Sequence, residues 1–155
     1  MAIHELDDLD RAILHALQHD ARKMSTSTIA ERMDVAPSTV RTRIKSLEDD
    51  GVLTGYHAEI NYEQTGLQLH TLILCTAPVP ERERLAEQAQ EVSGVVAVRE
   101  VMTGNENVHI EAVGQDGDDL NRIGRELDEI GLTIEDEDII RNEYETPYER
   151  FAVQD

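Results

Sequence analysis

The 155-residue sequence has no tryptophan, one cysteine, one phenylalanine and only two lysines, Lys23 and Lys45. A lone Cys75 excludes an internal disulfide framework and the usual cysteine-based zinc sites. It sits in the apolar run LILCTA, where a buried structural thiol is the plain reading. Aromatic residues are 3% of the chain, so a core must be built from Leu, Ile, Val and Ala; the 39% apolar content allows one. No apolar run approaches the ~18 residues that a membrane span needs. The acidic start MAIHELDDLD does not fit a signal peptide. No membrane partner and a cytoplasmic location are therefore expected. The length suits one ordinary domain or two small ones.

Positive charge is also scarce. There are 33 Asp and Glu against 14 Lys and Arg, a formal net charge of −19. Such a balance is compatible with disorder, but the apolar periodicity described below argues for folded elements. A halophilic surface of hydrated carboxylates is the better account: self-repulsion opposes compaction, and at ~1 M salt the Debye length of about 3 Å screens it. The imbalance is uneven. Residues 1–60 hold 7 basic and 11 acidic side chains, a net of −4, whereas residues 61–155 hold 7 and 22, a net of −15. That contrast suggests two domains.

Within this acidity, the stretch Ser38–Leu47 carries Arg41, Arg43 and Lys45 and no acid. Leu9, Ile13, Ala16 and Leu17 recur at helical spacing and predict a first helix over about 7–19. Ser25 is a natural N-cap for a second helix through Met33, with Ile29, Ala30 and Met33 inward. After DVAP, Pro37 suits the first position of a third helix ending near Asp49, before Gly51. Three short helices with a tight turn between the last two form a helix-turn-helix pattern. On the third, Val40, Ile44 and Leu47 share one face. Ser38, Arg41, Thr42 and Lys45 share the opposite face, flanked by Thr39 and Arg43. An arginine there can pair bidentately with guanine, while hydroxyls and a lysine hold phosphates. The plainer alternative is a solvated face with a chance run of bases. Arg22 and Lys23 are secondary candidates for phosphate contacts.

Residues 52–61 alternate loosely, as an extended connector would. An apolar strand LQLHTLILCTA, a helix over about 81–92, a strand GVVAVREVM, a turn TGNEN, and a strand VHIEAVG follow. A helix over about 118–130 buries Leu120, Ile123, Leu127 and Ile130; Gly131 caps it and a last strand begins at Leu132. The order βαββαβ is ferredoxin-like. Tyr144, Tyr148 and Phe151 give the tail apolar area that could cover the sheet or another subunit. Enzymes use this topology too, but there is no Gly-rich phosphate cradle and no nucleophile with a nearby base. His15 and His19 are spaced i,i+4 on a helix, where a solvated face is the simpler reading than a metal site. No cofactor, no metal and no catalysis are expected.

The segments DLDRAILHALQHDAR, APSTVRTRIKSLEDDGVL and TGYHAEINYEQTGL together resemble the Lrp/AsnC (feast/famine) family of transcriptional regulators, over nearly the whole chain. Ala36 departs from it, since a hydroxyl cap is usual there. The resemblance implies an α+β protein. Residues 1–53 would form a helix-turn-helix (winged-helix-like) DNA-binding domain and 54–66 an extended connector strand. Residues 67–155 would form a ferredoxin-like domain for effector binding and oligomerisation. Ser38, Thr39, Arg41, Thr42, Arg43 and Lys45 would lie on the DNA-reading helix, with double-stranded DNA as partner. It also implies a homodimer, with tetramers or octamers as further assemblies, and an amino-acid or small-metabolite effector near Thr103, Gly104, Asn105, Glu106 and Asn107. Gly104 matches the family's turn, whereas Glu106 replaces an aromatic and Asn107 an acid. The rival reading is a sensing or assembly protein with weak or no DNA binding. Its motivation is salt. At a log–log slope of about −0.9 per phosphate, roughly eight contacts lose on the order of 10⁷ in affinity over a tenfold rise in salt.

Overall fold

The computed structural model describes residues 3–102 and 104–152. They divide into two units. One comprises the residues through Ala58 together with the segment from Tyr144; the other is Glu59–Glu143.

The first unit holds α1 (Asp8–Asp20), α2 (Thr26–Met33) and α3 (Pro37–Asp49). Polar side chains at the starts of α1 and α2 satisfy backbone donors that a helix leaves open. Asp7 and Asp10 form a reciprocal capping box on α1, and Ser25 accepts from the Thr28 N–H on α2. Ala36 offers α3 no side-chain cap, and Pro37 occupies its first turn. Between α2 and α3, Asp34 takes a left-handed conformation with φ of +53°. Ile13, Ile29, Val40 and Leu47 are fully buried where the three helices meet. Each such side chain stabilises the fold by about 1.5–3 kcal/mol relative to leaving it exposed.

The connector residues from Val52 to Asn61 join no ladder among the described strands of a single chain, since an extended segment becomes a strand only with an edge to pair on. Part of the tail packs within this unit. Phe151 packs on the helix-turn-helix core, Tyr148 meets it edge-on with centroids 4.8 Å apart, and the Tyr148 N–H donates to Gln18. The last segment thus belongs with the helices rather than with the expected 67–155 domain.

The second unit holds β1 (Leu69–Thr76), α4 (Arg82–Gln90), β2 (Val95–Glu100), β3 (Val108–Gly114), α5 (Gly117–Glu129) and β4 (Thr133–Ile139). The sheet order is β2-β3-β1-β4 and all pairs are antiparallel. This is the ferredoxin-like arrangement expected from the element order. Ile73 and Cys75 of β1 and Val108, Ile110 and Ala112 of β3 alternate onto one face, where Leu85, Ala89, Ile123 and Leu127 of the two helices cover them. Leu120 and Ile130 are only partly buried at the margin of this core. Gly94 enters β2 at φ +100°; a Cβ there would meet Ile123 at 2.7 Å and the Val113 carbonyl at 2.9 Å. No described helix is long and apolar enough to cross a membrane.

Candidate nucleic-acid interface

Burial of Val40 and Leu47 fixes the roll of α3 and leaves Ser38, Thr39, Arg41, Thr42 and Lys45 exposed. Thr42 Oγ1 donates to the Ser38 carbonyl at 3.0 Å, tying that hydroxyl to its own helix. Lys45 Nζ lies 2.8 Å from Asp49, an exposed i,i+4 pair of small worth that a phosphate can displace. The Asp49 carboxylate hydrogen bond raises the Lys45 pKa, so the ammonium is charged throughout the neutral range. Arg41 is exposed and has no ion-pair partner among the described residues.

Arg43 departs from the outward set. Its guanidinium turns back to α1, pairing with Asp7 and, at 3.2 Å, with Asp10. The Asp7 and Asp10 hydrogen bonds raise its pKa. Asp10 is 3% exposed, so a cation beside it offsets the burial of a carboxylate. Arg43 therefore ties α3 to α1 in this structure. Nearby, the His4 ring bonds Asp50 and lies 3.5 Å from Asp10. Arg22 and Lys23 are exposed, and both backbone N–H groups donate to Asp20.

The expected effector turn is only partly available. Thr103 lies outside the described residues. Gly104 takes φ +100°, which suits glycine, while Asn105 and Glu106 are exposed. The Asn105 carbonyl accepts from Thr76 Oγ1 at 2.8 Å. Asn107 is buried, and its amide clasps the backbone of Ala77. Oδ1 accepts from the Ala77 N–H at 2.8 Å, and Nδ2 donates to the Ala77 carbonyl at 2.9 Å. With both ends of its amide engaged, Asn107 anchors the turn to Ala77.

Sequence reasoning missed two networks: Arg43 with Asp7 and Asp10, and Glu111 with Arg99 and His70. Arg43 lies 36 residues from Asp7 and 33 from Asp10, so no local pattern joins them.

Residues 6–54 match the family described as winged helix-turn-helix DNA-binding. An HTH-type transcriptional regulator of Pyrococcus furiosus is 37% identical over 121 residues, 76% of this chain and 78% of its own. The HTH-type transcriptional regulator LrpA of Pyrococcus horikoshii is 33% identical over 127 residues, covering 77% and 87%. Among solved structures, the feast or famine regulatory protein of M. tuberculosis complexed with L-methionine has the same fold. Its TM-score is 0.79 at 24% identity, over 92% of this chain and 96% of that one. With its helix-turn-helix, its ferredoxin-like sheet and these relatives, the chain belongs to the Lrp/AsnC (feast/famine) family of DNA-binding transcriptional regulators.

Proposed function

We propose that α3 enters the major groove and reads DNA with Arg41 as its principal base contact. The observation that carries this is an exposed Arg41, without an ion-pair partner among the described residues, in the acid-free window Ser38–Leu47 of a chain with net charge −19. Ser38, Thr39, Thr42 and Lys45 set register on phosphates, and Arg22 and Lys23 add backbone contacts before α2. Arg43 holds the helix in place instead of touching DNA. Two copies of the chain, acting as a dimer, would present two such helices to half-sites about 34–36 Å apart. Further dimers could join them into tetramers or octamers. The protein works in concentrated salt, where its carboxylate surface is screened.

The C-terminal unit is a site for an amino-acid effector, by analogy with the methionine-bound relative. Gly104, Asn105 and Glu106 are the described residues of the turn that remain open to one. With Asn107 engaged, Glu106 is the group there that can meet a ligand ammonium.

The deciding experiment measures binding of the chain's own promoter DNA at ~1 M KCl. Arg41→Ala/Lys45→Ala should abolish specific binding while leaving the melting temperature unchanged. Retained specificity in that double variant would overturn the assignment of α3 as the reading element.

A further inference from the structure

Glu111 stands out on the sheet face opposite the helices. It is 8% exposed and, unlike Asp10, caps no helix. A buried carboxylate requires compensation on both oxygens. Arg99 supplies one, at 2.9 Å from Oε1. The other oxygen, Oε2, meets His70 Nε2 at 3.3 Å, a long contact whose donor and acceptor roles depend on the imidazole tautomer. Glu143, from the segment after β4, completes a trio whose ligand atoms all lie within 4.8 Å of one another.

The geometry points to a binding site for a divalent first-row transition metal formed by His70, Glu111 and Glu143. One imidazole nitrogen and two carboxylate oxygens from β1, β3 and the segment after β4 form a three-ligand set, with a fourth position left to water. With the proton on Nδ1, the His70 Nε2 lone pair points at Oε2 of Glu111, and an ion between them takes both. Arg99 orients the buried carboxylate through its other oxygen, as hydrogen-bonding partners behind metal ligands commonly do. Glu143 is exposed and can close on the ion by side-chain rotation alone. A mixed nitrogen and oxygen set suits zinc or its neighbours better than magnesium or calcium, which prefer oxygen alone. The site shares no residue with the turn at 103–107 or with α3, and it does not depend on the DNA-reading assignment.

The test is calorimetric titration of the metal-stripped full chain with ZnCl2, in a His15→Ala/His19→Ala background that removes the i,i+4 surface pair. One zinc per chain is expected. Glu143→Gln and His70→Gln should each weaken binding by at least about tenfold, with unchanged melting temperature in the absence of metal. Zinc should also shift the His70 imidazole resonances. Equal affinity in both variants, or no zinc uptake by the parent, overturns the site. If His70→Gln fails to fold, the exposed Glu143→Gln decides alone.

Discussion

At the scale of single residues, the buried polar groups make the sharpest predictions. Asn107→Ala removes both partners of the Ala77 backbone at a buried position. It should lower unfolding free energy by about 2–4 kcal/mol in denaturant titration, since unmet buried groups carry their full desolvation penalty. Arg43→Ala should destabilise by roughly 1–2 kcal/mol, leaving Asp10 buried beside fewer donors. That loss would appear in thermal melts whether or not DNA is present. His4 carries a pH signature. The hydrogen bond to Asp50, then the one to Asp10, raises its pKa above the ordinary 6.5. The stabilisation is therefore complete below that value and fades as pH climbs through the raised one. The melting difference between the parent and His4→Gln should be largest below about pH 6 and shrink in alkali. Cys75 is buried and its pKa is pushed up to about 12, by burial first and then by Glu137 and Glu135. Alkylation at neutral pH should occur only on unfolding.

At the scale of elements, much was readable because periodicity reports burial. Val40, Ile44 and Leu47 marked the inward face of α3, and the apolar run within LQLHTLILCTA marked β1. The helix-turn-helix and the βαββαβ order followed from those patterns and from capping residues such as Ser25 and Pro37. What stayed hidden depends on partners distant in sequence. Periodicity put Arg41 on the outward face of α3 and Arg43 at its flank but did not show that Arg43 turns back to Asp7 and Asp10, and Asn107 reads as a turn residue until Ala77, 30 residues away, lies beside it. Local strain was hidden too. Asp34, at φ +53°, holds the α2–α3 turn in a conformation that glycine adopts freely. Asp34→Gly should leave the melting temperature unchanged or raise it slightly, whereas Asp34→Val should lower it.

At the scale of the whole molecule, charge governs behaviour. With 33 acids, the folded chain repels itself in dilute salt. The melting temperature should rise steeply between low and molar KCl and then flatten as screening saturates. A flat profile would remove the salt-adapted reading. On the proposed base contact of Arg41, DNA binding should depend on salt less steeply than the slope of about −0.9 per phosphate would give for a conventional basic repressor. Titration of affinity against KCl reads that slope directly.

The tail has a consequence for biosynthesis. Phe151 completes a core whose other members lie before residue 54, with the whole ferredoxin-like unit encoded between them. On the ribosome, the helices emerge before the ferredoxin-like unit but gain the Phe151 contact only after that unit has been made. A nascent chain stalled before Tyr148 should carry helices that are more easily cut by protease than those of the released protein.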